Sequence, residues 1–103
     1  MDMSVAVIVH PGKVRDLGHA RRLVDGVAAS VGQPAPAWFE TTPEDPGRGQ
    51  TRRAIEQGAT IVMAWGGDGT VMGVAAELVH SPVRLGIVPG GTGNLLARNL
   101  GLP

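Results

Sequence analysis

Two glycine-rich clusters carry the residue types needed to handle phosphate: Gly66-Gly67-Asp68-Gly69-Thr70 and Pro89-Gly90-Gly91-Thr92-Gly93-Asn94. Glycine lets a backbone approach a ligand with no Cβ in the way, and it adopts positive φ without steric cost. N–H groups left free at the start of a following helix then attract an anion, aided by the helix dipole. Thr70 offers a hydroxyl to a phosphate oxygen. Asp68, set among glycines, can either order the loop or hold a hydrated Mg2+ near phosphates. A third turn, His10-Pro11-Gly12-Lys13, holds a lysine read as a solvated loop residue within reach of a phosphate. His10 has no second histidine or cysteine at ligand spacing, so no metal site is expected there.

The elements that must position these residues follow from the apolar pattern. Ser4–Val9 is a nearly continuous apolar run, the mark of a parallel strand buried on both faces. From Gly18 to Val31 the residues Ala20, Leu23, Val24, Val27 and Ala28 recur at helical spacing. A second strand is expected over Ala35–Thr41, followed by a turn-rich loop, Pro43–Gly47. Arg48–Gln57 suits a short polar helix ending at Gly58, and its arginines are read as a solvated face. Ala59–Trp65 is the third strand, Val71–Val79 the next helix and Val83–Val88 the fourth strand. Another helix is expected through Leu95, Leu96 and Leu100. Strands alternating with helices imply right-handed crossovers, hence an α/β fold: a parallel sheet with helices on both faces.

A single G-G-x-G is as readily a tight turn as a binding loop. Two such loops, each after its own apolar strand, point to a phosphate or nucleotide site beyond the carboxyl ends of the strands. Trp38, Phe39 and Trp65 are read as core or sheet-packing residues rather than adenine stackers. Met63 is read as strand core and Met72 as a packing residue of the first helical turn.

The 103 residues suit about one domain. Nine basic and nine acidic residues cancel, which argues against a nucleic-acid partner or a broad anionic-membrane footprint. Without cysteine there is no disulfide framework and no thiolate metal site. No apolar run approaches the roughly 18 residues of a membrane span. The chain is read as cytoplasmic.

Taken together, the motifs resemble the diacylglycerol kinase catalytic domain family, which includes bacterial lipid kinases and sphingosine kinases. The likeness runs from Val7–Lys13 through Glu40-Thr41-Thr42 to Gly66–Val71 and Leu85–Asn94. It implies a three-layer domain similar to NAD kinases and phosphofructokinases, which uses ATP and Mg2+ to phosphorylate a lipid hydroxyl. It also implies a nucleotide-contacting set: His10, Pro11, Gly12, Lys13, Val14, Thr41, Gly66, Gly67, Asp68, Gly69, Thr70, Val71, Met72, Gly73, Gly90, Gly91, Thr92, Gly93 and Asn94. Asp68 resembles the family aspartate that organises the nucleotide and magnesium region, and is the candidate catalytic residue.

The sequence departs from the family at His10 and Met72, where Asn is usual, and at Leu95, where Asp is common. Lys13-Val14 replaces a Ser-Gly pair. Members of that family carry a second, β-rich domain that supplies the catalytic base and much of the lipid site. Residues 1–103 are therefore expected to be the ATP-binding part, a fragment that binds nucleotide without turning it over. Peripheral membrane contact is expected of the full-length protein alone, and an apolar surface left by a truncated sheet is compatible with a homodimer. The alternatives are an NAD kinase-like enzyme and a non-catalytic nucleotide-binding regulatory domain.

Overall fold

The computed structural model describes residues 4–88. Strands β1 (Val5–Val9), β2 (Ala37–Glu40), β3 (Ile61–Trp65) and β4 (Arg84–Val88) form one parallel sheet in the order β2-β1-β3-β4. Between them run α1 (Leu17–Ser30), α2 (Arg48–Glu56) and α3 (Asp68–Leu78), with a single 3-10 turn at Pro11–Lys13. The expected α/β architecture is present.

Alternation along the strands sorts the core into two layers. Val7, Val9, Met63, Trp65 and Val88 pack with Ala20 and Val24 of α1 on one face. Ala6, Ile8, Val62 and Ala64 pack with Ala54 of α2 and with Val74 and Leu78 of α3 on the other. The central strands β1 and β3 are buried on both faces, which is why they read as continuous apolar runs. In β4, Leu85 and Ile87 are exposed. Trp65 and Met63 are core, as expected, whereas Met72, expected to be a packing residue, is 71% exposed. Four residues after Asp68 on α3, Met72 shares that residue's open helix face.

Local chemistry sets the helix ends. Asp16 caps α1, its Oδ1 accepting from His19 N–H at 3.0 Å. The helix closes with Gly32 N–H on Ala29 O and Gln33 N–H on Ala28 O, the paired bonds of a glycine C-terminal cap. Gly58 and Ala59 close α2 onto Ile55 O and Ala54 O in the same way, so the stop expected at Gly58 is present. Among the described residues no helix is long and apolar enough to cross a membrane.

Register brings the strand ends level. Val9 pairs with Glu40 and Trp65, and Trp65 pairs with Val88, so all four strands finish along one rim. The chain goes from β1 to β2 on one side, then returns past β1 to β3 on the other. The topological switch lies between β1 and β3, where a doubly wound sheet opens a crevice beyond its carboxyl ends.

Candidate functional site: the crevice between β1 and β3

The turn after β1 and the turn after β3 meet at that switch. His10 N–H donates to Trp65 O at 2.8 Å, so the first turn is tied to the last residue of β3. His10 then shapes its own turn. Its Nδ1 accepts from Gly12 N–H at 3.0 Å and its carbonyl accepts from Lys13 N–H at 3.0 Å. Pro11, with no N–H to satisfy, suits the first position of this turn. Val14, just beyond it, is 7% exposed and belongs to the core on the α1 face.

The glycine motif is shorter as a loop than the sequence suggests. Only Gly66 and Gly67 separate β3 from α3, and Asp68, Gly69 and Thr70 form the first helical turn instead of preceding it. Gly69 is tolerated there because first-turn N–H groups have no helical partner to lose. Asp68 gains from the positive end of the helix dipole. The cap residue Gly67 contributes no side-chain bond, which leaves those N–H groups open to an anion.

Positive φ is not what Gly66 and Gly67 provide. Among the described residues the positive-φ glycines are Gly32, Gly47 and Gly58. Gly66 is required by close approach: a Cβ there would lie 2.5 Å from Thr70 Oγ1 and 2.9 Å from His10 Cβ. A Cβ on Gly67 would meet only Lys13 Cε, at an ordinary 3.6 Å.

Thr70 is 2% exposed, and its hydroxyl makes no bond to any described residue. It points at the Gly66 turn. Asp68 and Lys13 are exposed and without partners among the described residues. Thr41, 7% exposed at the end of β2, is joined to β1 by its N–H on Val9 O at 2.9 Å.

Further along α3 the candidate residues diverge. Val71 is half-buried against the α2/α3 core. Gly73 faces the α2 entry, where a Cβ would come within 3.4 Å of Pro46 O and 3.6 Å of Gly47 Cα. Its place in the structure is helix packing. Gly90, Gly91, Thr92, Gly93 and Asn94, with the helix expected after them, lie outside the described residues.

Sequence reasoning missed what fixes α3 in place. Glu77 Oε1 accepts from Arg48 Nε at 3.0 Å and from Arg52 Nη2 at 2.9 Å, so the arginine face of α2 is an ion-paired seam with α3. Hydrogen bonds from Arg52 and then Arg48 hold the Glu77 carboxyl below its ordinary value of 4.5. The partners lie 25 and 29 residues away in sequence, and no local pattern announces them.

A parallel doubly wound sheet with a glycine turn and a helix N-terminus at its switch point defines an α/β domain of the NAD kinase-like kind. The family follows from comparison: the sequence model of the diacylglycerol kinase catalytic domain matches residues 4–103. The chain belongs to that family. It is 46% identical over 50 residues to a diacylglycerol kinase of Mycobacterium tuberculosis, covering 48% of this chain and 16% of that one. It is 51% identical over 47 residues to an uncharacterised Synechocystis protein, covering 46% of this chain and 11% of that one. The crystal structure of a diacylglycerol kinase from Bacillus anthracis, 28% identical, superposes with a TM-score of 0.60 over 97% of this chain and 37% of that one. The chain thus spans well under half the length of the relatives it matches.

Proposed function

We propose that these residues are the nucleotide-holding part of an ATP-dependent lipid kinase, which transfers the γ-phosphoryl group to a lipid hydroxyl such as that of diacylglycerol. The observation that carries the reading is the meeting of two turns at the switch point, over a helix N-terminus beside Thr70, a buried residue whose hydroxyl has no partner among the described residues. Phosphoryl transfer draws most of its catalysis from positioning and charge stabilisation, and this crevice offers both.

The N–H groups of Asp68 to Thr70 would hold phosphate oxygens, with the Thr70 hydroxyl donating from below. Gly66 and Gly67 keep the approach free of side chains. Among the described residues no three His, Cys, Asp or Glu side chains converge. One carboxylate, Asp68, fits Mg2+ held mainly by phosphates and water, which needs few protein ligands. Bound there, the ion would neutralise charge on the phosphate oxygens. The lipid oxygen attacks the γ-phosphorus, the bond to the β-phosphate oxygen breaks and ADP departs. The hydroxyl proton goes to a base outside these residues.

Titrating ATP with and without Mg2+ into wild type and Asp68→Ala tests this reading. Asp68→Ala is expected to abolish the gain in affinity that Mg2+ gives. A variant that binds ATP as tightly as wild type, both with and without the ion, would remove Asp68 from the nucleotide site. Residues 1–103 alone are expected to bind ATP and to phosphorylate no lipid.

A further inference from the structure

Lys13 closes the turn after β1, and its stem lies beside Gly67, with Cε 3.6 Å from where a Gly67 Cβ would stand. The ammonium is one bond beyond that carbon, which puts it within reach of the α3 N-terminus that Gly67 caps. It has no ion pair or hydrogen bond among the described residues. Its backbone is well fixed. His10 holds Lys13 N–H and Gly12 N–H through its carbonyl and Nδ1, and its own N–H ties the turn to Trp65 O. Thr70 is the independent sign that this N-terminus faces a ligand: a residue 2% exposed, its hydroxyl aimed at the Gly66 turn and without a partner among the described residues.

We infer that Lys13 is a specificity-determining residue that reads the outermost phosphate, so that the crevice discriminates ligands by the length of their phosphate chain. This rests on the nucleotide reading above and deepens it. The helix N-terminus offers about half a positive charge, and its effect fades within the first turn. That suffices to place one phosphate and is weak for counting several. A whole ammonium, compact and free to rotate, pairs with a terminal phosphate without demanding bidentate geometry. In phosphate loops generally, glycines cradle the inner phosphates and a lysine reaches the outer ones. Here the glycines come from the β3 turn and the lysine from the β1 turn. Asp68, of opposite sign, opposes anion binding when Mg2+ is absent, so metal-free conditions isolate the lysine.

The test is calorimetric titration of the full chain without divalent metal, at one salt concentration, using wild type, Lys13→Met and Lys13→Arg. The ligands are ATP, ADP, AMP, inorganic tripolyphosphate and pyrophosphate. Wild type is expected to bind more tightly from AMP to ADP to ATP. Lys13→Met should weaken ATP about tenfold to a hundredfold, the range of one charge-assisted hydrogen bond, and leave AMP within about twofold. Lys13→Arg should restore most of the ATP affinity. If Lys13→Met weakens all three nucleotides equally, or none, the inference is overturned while the nucleotide reading stands. Lys13-dependent binding of tripolyphosphate with no binding of any adenine nucleotide would uphold the inference and overturn the nucleotide reading. Binding of no ligand by wild type would overturn both.

Discussion

Thr51 and Thr70 are both threonines in helices, 0% and 2% exposed, yet their hydroxyls are treated in opposite ways. Thr51 Oγ1 donates to Gly47 O at 2.7 Å, in the seam between α2 and α3. That seam is closed but for Gln50 Oε1, which is buried without a hydrogen-bond partner among the described residues. Asp45 Oδ1 takes the N–H groups of Gly47 and Gly49, Gln50 Nε2 spans Glu40 O and Asp45 O, and Glu77 binds two arginines. Along the rim between β1 and β3 the Thr70 hydroxyl, the Lys13 ammonium and the Asp68 carboxylate have no partner among the described residues. A polar group that folding leaves unsatisfied weakens the fold unless something else binds it. Most polar groups of the seam are satisfied within the fold, whereas those of the rim are left for a ligand.

The largest effects should separate the two glycines of the turn. Gly66→Ala forces its Cβ into Thr70 and His10 at 2.5 and 2.9 Å, so the turn must shift. An overpacked site of this kind is expected to lower stability by about 1–3 kcal/mol and to abolish nucleotide binding. Gly67 has φ −86°, open to any residue, with only an ordinary contact to Lys13. Gly67→Ala should unfold within about 0.5 kcal/mol of wild type. Its methyl group stands in the approach to the α3 N-terminus, so binding should still weaken. Matching denaturation midpoints for both variants would refute the close-approach account of Gly66.

The same substitution in the two regions should then give opposite results. Thr51→Val removes a buried hydrogen bond and is expected to cost about 1 kcal/mol, with ATP affinity unchanged. The loss stays moderate because Gly47 O keeps its bond from Thr51 N–H at 3.0 Å. Thr70→Val removes a hydroxyl that has no partner to lose. Stability should hold or rise slightly, while affinity falls by about the worth of one hydrogen bond to a charged group, roughly tenfold or more. Chemical denaturation and calorimetry on both variants decide it. A destabilised Thr70→Val with unchanged affinity would make Thr70 a seam residue like Thr51.

The sequence disclosed the rim better than the seam, for a physical reason. Val5–Val9 and Ile61–Trp65 are apolar on both faces because both faces are covered, so β1 and β3 stand out as continuous runs and locate the turns after them. The start of α3 was hidden because three glycines in Gly66–Gly69 lower helix propensity, while the free first-turn N–H groups make Gly69 affordable there. Met72 reads as a packing residue of the first helical turn, yet it is 71% exposed on α3. The polar look of Arg48–Gln57 concealed buried Gln50 and Thr51, whose partners are backbone carbonyls that only the folded loop supplies. Strand order depends on crossovers, and no local pattern encodes it.

The smallest effect expected lies at Glu77 and tests whether seam and rim are separable. Its carboxyl titrates below 4.5 in the folded chain because Arg52 and Arg48 donate hydrogen bonds to its charged form. A lowered folded value means the ion pairs contribute fully above the unfolded value, and the contribution is lost as pH falls through the folded one. Both arginine side chains are about 60% exposed, 62% and 61%, so solvent screens the pairs. Glu77→Gln is expected to lower stability by about 0.5 kcal/mol at neutral pH and low salt. The difference from wild type should shrink in concentrated salt and close in acid below 4.5. ATP affinity at neutral pH should not change, because Glu77 sits in the last turn of α3 and the open N–H groups sit in the first. A fall in affinity as large as that of Thr70→Val would mean that the ion pairs set the angle at which α3 presents its N-terminus. The seam would then be part of the binding site, and the division between closed and open polar groups would fail.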